Sequence, residues 1–201
     1  MSVNNKKIIG LTGMSGAGKS TACTVFARFG FDIIDCDRIC RVIVEKGKPC
    51  LAEIVKFFGE EILTEEGELN RREMAGIIFS DEEKRLALNG IMYPYVSYIV
   101  IKSIFNSESS YVMLDAPTLF DSGIDDICDT VVSVVAERQT AIKRIVQRDG
   151  ISLTEAEKRL KSQHDKDYYL KKSRYVISND KSAEVFLRKL EKTAITIKGE
   201  K

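Results

Sequence analysis

Eight consecutive residues, Gly13-Met14-Ser15-Gly16-Ala17-Gly18-Lys19-Ser20, match G-x4-G-K-S in full, a spacing whose chemistry is phosphate binding. Glycines let the backbone curl, so the N–H groups of Gly13, Ser15, Gly16, Ala17 and Gly18 can point at phosphate oxygens. A helix opening near Lys19 adds the positive end of its dipole. Lys19 supplies a full charge to the outer phosphates. Ser20 offers the hydroxyl that ligates a bridging Mg2+, and Thr21 offers a second hydroxyl to an inner phosphate. The ligand this predicts is a nucleoside triphosphate such as ATP. The bland alternative is a glycine-rich turn with no ligand.

Other residues extend this chemistry. Asp35 and Asp37 follow an apolar run; if the chain stays extended there, both carboxylates point to one side. One of them can take the proton of an attacking hydroxyl or help hold Mg2+; the competing reading is a solvated helix cap, for which Asp37 is well placed. Arg144 and Arg148 stand four residues apart on one expected helix face, with Arg138 nearby. Two guanidiniums so spaced can serve one transferring phosphoryl group, or simply form a solvated face. Asp115, after an apolar run, occupies the position of a metal-facing carboxylate or of a structural hydrogen-bond acceptor. His164 is the single histidine and has no Cys or Ser partner with triad logic, which makes it a surface residue. Tyr93, Tyr95, Tyr98 and Phe105 read as packing residues.

The elements that must position these groups alternate. Lys7–Thr12, Phe31–Asp35, Tyr111–Leu114, Thr130–Ala136 and Tyr175–Ser178 are short, nearly continuous apolar runs, as strands buried on both faces are. Helical segments separate them. The expected fold is therefore α/β, with a five-stranded parallel sheet covered by helices. About 75 residues between the second and third strands exceed what one crossover needs. They predict helices over Asp37–Glu45, Pro49–Phe58, Asn70–Phe79, Asp81–Asn89 and Tyr95–Phe105, with breaks at Gly47, Gly59, Gly67 and Gly90. A second excursion over 137–172 pauses at Asp149-Gly150 and restarts at Thr154, which can cap a helix with Glu157 three residues on. A last helix is expected over Ser182–Thr193, with Lys198–Lys201 fraying. The division is a core of 1–36, 109–136 and 173–201, a helical acceptor-binding insertion of 37–108 and a lid of 137–172.

Composition bounds the rest. With 201 residues, 44% hydrophobic and 30% charged, the chain suits one sizeable core with appendages and is neither disordered nor collagen-like. A net charge of +1 disfavours a uniformly basic nucleic-acid binder. Divided along the chain, residues 1–44 carry +3, residues 45–130 carry −9 and residues 137–201 carry +7. The basic third holds the arginines meant for an anion. Five cysteines, odd in number and without a C-x-x-C pair, suggest reduced thiols. Neither a signal peptide nor a membrane span is expected, which points to a cytoplasmic location.

A phosphate cradle does not by itself say what happens to the nucleotide. Neither N-K-x-D nor D-x-x-G, which a guanine-nucleotide switch requires, occurs in the sequence. An acceptor insertion plus a basic lid favours a small-molecule kinase over a non-catalytic nucleotide-binding adaptor. Taken together, IIGLTGMSGAGKST, IIDCDRICRVIVEKGKPCLAEIVKFFGEEIL, GELNRREMAGIIF, APTLFDSG, RIVQRDGISLTEAEKRLKSQ and YVISND resemble the dephospho-coenzyme A kinases, from Ile8 to about Asp180. The cradle is generic, whereas the D-x-D region and the L-x-R-R…IF segment are more specific. The resemblance implies ATP-dependent phosphorylation of the ribose 3′-hydroxyl of dephospho-coenzyme A. It places Asp37 as catalytic base, Arg144 and Arg148 as lid arginines, and Asn179 near the adenine. The chain departs from the family pattern at Tyr93, where a His precedes Pro, at Thr118 and Asp121 in the P-L-L…Glu stretch, and at Ser173-Arg174 in place of Ala-Asp. The nearest alternative is a kinase for another nucleoside or nucleotide.

Overall fold

The computed structural model describes residues 6–200. Five strands form one sheet: β1 (Lys7–Gly13), β2 (Asp32–Asp35), β3 (Tyr111–Asp115), β4 (Thr130–Val135) and β5 (Tyr175–Ser178), in the order β2-β3-β1-β4-β5. β1 pairs in parallel with β3 and β4, and β4 with β5, with Ile9 opposite Met113 on one side and Thr130 on the other. All six residues of β4 are buried, which explains its unbroken apolar spelling: a central parallel strand has helices on both faces. The order puts β1 at the centre, and its carboxyl end runs into the phosphate loop.

Among the described residues, those up to Ile34 together with those from Ser107 onward make one compact unit, and Asp35–Asn106 another. In the first, α1 (Lys19–Arg28) packs on β1 and on α9 (Ala183–Gly199), which also lies against β5. The core of this unit joins Ile9, Leu11, Phe26, Val132, Val134 and Leu190. Three further helices, α6 (Arg138–Asp149), α7 (Leu153–Lys161) and α8 (Lys166–Lys172), add Ala141, Ile145, Ala156, Leu160 and Tyr169 to the same core. α9 continues well beyond Thr193. Buried Ala194 and Ile197 extend its apolar face, and Glu200 at its end accepts from Lys7, Arg174 and Tyr175. These contacts hold the turns expected to fray.

The second unit contains α2 (Cys36–Val42), α3 (Pro49–Phe58), α4 (Arg71–Ser80) and α5 (Glu82–Asn106). Two helices expected over Asp81–Asn89 and Tyr95–Phe105 are instead the single 25-residue α5, with Pro94 inside it. The amide missing at Pro94 would have bonded the carbonyl four residues back, that of Gly90, where a flexible backbone most easily relieves the ring. Buried Leu88, Val96, Val100 and Ile104 continue one face through the interruption, and that burial outweighs the local cost.

The cap of α7 also differs from expectation. Ser152, not Thr154, accepts from the Glu155 amide, and the Glu155 carboxylate accepts from the Ser152 amide in return. S-x-x-E and T-x-x-E overlap here; Gly150 ends α6 in the left-handed region, and the earlier box starts α7 after a single intervening residue.

Candidate active site

β1 ends at Gly13, whose φ of 142° sets the turn into the loop. A Cβ there would stand 2.1 Å from the Val134 carbonyl oxygen, which instead accepts from the Met14 amide. At the other end Gly18, with φ 108°, is the N-cap of α1. It provides no side-chain cap and α1 has no acidic residue in its first turn, so the first amides and the dipole face the loop uncompensated. α2, α4, α7, α8 and α9 are capped by Asp35, Asn70, Ser152, Asp165 and Ser182.

Lys19 reaches across to Asp115 at the end of β3 and forms an ion pair with its carboxylate. The second carboxylate oxygen of Asp115 accepts from the Cys23 thiol at 3.3 Å, one helical turn beyond Lys19. Burial, followed by the Asp115 charge, pushes the Cys23 thiol up to about 12, so it stays protonated and inert. Asp115 thus anchors the loop lysine at the end of β3.

Asn179 follows β5 and is buried. Its Nδ2 donates to the Ala17 carbonyl at 2.8 Å, while Arg144 donates to the Asn179 carbonyl at 3.1 Å and to Oδ1 at 3.4 Å. Arg144 also lies 3.5 Å from the Gly16 carbonyl oxygen. The structure therefore gathers Arg144, Asn179 and the loop into one cradle. Beside it, a cleft of about 300 Å³ is lined by Gly18, Thr21, Arg144, Asn179, Phe186 and Leu187. The α9 residues in that lining escaped the sequence reading, because an apolar helix face carries no sign that one end of it opens on a cleft.

A Cβ on Gly18 would stand 2.6 Å from Asn179 Nδ2, and φ there is already left-handed. Gly18→Ala is expected to lower Tm by about 4 °C or more, as about 1–2 kcal/mol of backbone strain does in a chain of this size. It should also weaken ATP binding; a thermal melt with and without ATP checks both.

Arg148 does not join Arg144. Its guanidinium makes two bonds to Asp149, at 2.7 and 2.9 Å, and Arg159 pairs with the same carboxylate. Those bonds, that from Arg148 first, hold the Asp149 carboxyl down at about 2. The i,i+4 spacing placed both arginines on one face, but an acid next in sequence takes the second. Arg144→Ala is accordingly expected to lower kcat by about 10-fold more than Arg148→Ala, as steady-state rates will show. His164 is not a bare surface residue either: it stacks on Tyr168 with ring centroids 3.6 Å apart and meets Asp121 at 2.7 Å.

In the second unit the extended pair of carboxylates does not form. α2 begins at Cys36, so Asp35 is its N-cap, accepting from the Arg38 amide at 2.8 Å, and Asp37 lies in its first turn. The capping role expected of Asp37 goes instead to Asp35, because α2 starts one residue earlier, at Cys36. The nearby Cys40 thiol is pushed up by burial and then by the Asp37 charge.

Among the described residues, no group of three or more His, Cys, Asp or Glu is gathered as for a metal held by protein alone. Mg2+ keeps several waters and needs only one or two protein oxygens beside phosphates. The exposed hydroxyl of Ser20 is a hard oxygen donor of that kind. No helix of the described residues is long and apolar enough to cross a membrane.

A central parallel strand running into a complete phosphate loop, with a lysine beyond it and an arginine and an asparagine folded onto it, defines a P-loop kinase. A solved structure from Thermus thermophilus shares the architecture with a TM-score of 0.86 at 26% identity, covering 96% of this chain and 98% of that one. The dephospho-CoA kinase from Campylobacter jejuni superposes with a TM-score of 0.68 at 26% identity, covering 96% and 97%. A dephospho-CoA kinase from Listeria innocua is 39% identical over 181 residues, 89% of this chain and 90% of its own length. The family model for dephospho-CoA kinase matches residues 7–184. The chain belongs to the dephospho-CoA kinase family.

Proposed function

We infer that the chain transfers the γ-phosphoryl group of ATP to the ribose 3′-hydroxyl of dephospho-coenzyme A, giving coenzyme A and ADP. The observation that carries this reading is a complete phosphate cradle, Gly13 to Ser20, in a chain that matches the dephospho-CoA kinase family over residues 7–184.

In this reading the amides of residues 13–18 and the start of α1 bind the β- and γ-phosphates, with Lys19 moving from Asp115 onto their oxygens. Thr21 faces the inner phosphate, and Asn179 with the cleft beside α9 receives the adenine. Arg144 stabilises the charge that spreads over the transferring group. Ser20 and Asp37 would hold Mg2+, which would supply positive charge to offset the charge of the phosphates. Asp37 orients the 3′-hydroxyl and takes its proton. Residues 37–108 bind the acceptor, and residues 137–172 cover the phosphates and exclude water that would otherwise hydrolyse ATP.

An assay of ADP release across dephospho-coenzyme A, nucleosides and nucleoside monophosphates tests the acceptor. Rapid turnover is expected with dephospho-coenzyme A alone. Comparable turnover with a nucleoside or nucleotide would replace this reading by the alternative kinase.

A further inference from the structure

The amide of Ser15 sits in the middle of the phosphate loop, between the turn at Gly13 and the left-handed Gly16. It donates to Gln163 Oε1 at 2.9 Å, across 148 residues of sequence. Gln163 follows the end of α7, whose Leu160 is buried in the core, so the carboxamide reaches the loop from a fixed stem. The pocket around it joins apolar Met14 and Leu160 to the cations of Arg138 and Lys166 and the carboxylates of Glu137 and Asp165. An N–H can meet only an acceptor, so the carboxamide presents its oxygen to the very group that a phosphate oxygen requires.

We propose that Gln163 is a phosphate-binding residue that reads the state of the phosphate loop. With no phosphate present its Oε1 satisfies the Ser15 amide; when a phosphate oxygen takes that amide, the carboxamide turns and donates from Nε2 to the phosphate. The two ends of a carboxamide have nearly the same shape and opposite hydrogen-bonding character. A half-turn about the last torsion therefore exchanges acceptor for donor without moving α7. A carboxylate has only acceptors: it holds the amide equally well but repels the phosphate. The proposal rests on reading the loop as the ATP site.

Titration calorimetry with ATP and with adenosine on the intact wild-type chain, Gln163→Ala and Gln163→Glu tests it. A residue that merely supports the fold would tolerate the isosteric Glu better than Ala. The latch predicts the reverse for ATP. Gln163→Glu should bind ATP about 10-fold or more weakly than wild type, a loss expected from a misplaced charged acceptor, while Gln163→Ala, which loses the donor but adds no charge, should fall between the two. Adenosine, which carries no phosphate, should bind all three chains alike. Wild-type ATP affinity in Gln163→Glu, or an equal loss for ATP and adenosine, would overturn the latch alone. A wild-type chain that binds no ATP would overturn the ATP site and the latch together.

Discussion

Lys19→Ala is expected to fold and to lose about 100-fold or more in kcat, the scale on which removal of one oriented charge acts on a transferring phosphoryl group. Lys19 is the full positive charge inside the loop, and its side chain is mostly withdrawn from solvent, as is that of its partner Asp115. Screening by water and salt is therefore weaker here than for a surface lysine. Removing the ammonium also leaves Asp115 with only the Cys23 thiol as its described side-chain partner, at 3.3 Å. A half-buried carboxylate so left costs stability as well as activity. The paired variant Lys19→Met with Asp115→Asn separates the two effects: it should recover Tm toward wild type and remain as inactive as Lys19→Ala. Thermal melts and steady-state rates on the three chains check this.

Asp37→Asn is the second large effect. Asparagine keeps the shape of the side chain and removes its capacity to take a proton, a contribution typically worth about 100-fold or more. Asp37 lies in the first turn of α2, whose cap is Asp35, so the substitution leaves the capping bond to the Arg38 amide in place. The predicted signature is a fall in kcat of about 100-fold with Tm close to wild type, together with weaker binding of Mg2+-ATP, because the same carboxylate would help hold the metal. Near-normal turnover in a folded Asp37→Asn chain would remove Asp37 from the proton transfer.

What could be read from the residues depends on how local the physics is. The phosphate loop is legible because its function lies in contiguous backbone, and eight adjacent letters specify the turn, the charge and the hydroxyl together. β4 is legible for a similar reason, since burial on both faces leaves an apolar run. Competition between neighbours is not legible in this way. Ser152 and Thr154 both head a capping motif, and only the placement of Gly150 at the end of α6 decides between them. Arg144 and Arg148 share a helix face, but Asp149 claims one and Asn179 the other. Continuity of α5 through Gly90 and Pro94 depends on burial along its whole length, which outweighs a local rule. Most hidden is Gln163, whose contact with Ser15 spans the fold and leaves no spacing in the sequence to betray it.

The measurement that bears most directly on the central claim is 31P NMR of the product formed from ATP and dephospho-coenzyme A by the purified chain. One new phosphomonoester resonance at the ribose 3′ position, growing in equal amount with ADP, is the predicted result. ADP accumulating without that resonance, or a phosphate placed elsewhere on the acceptor, would contradict it.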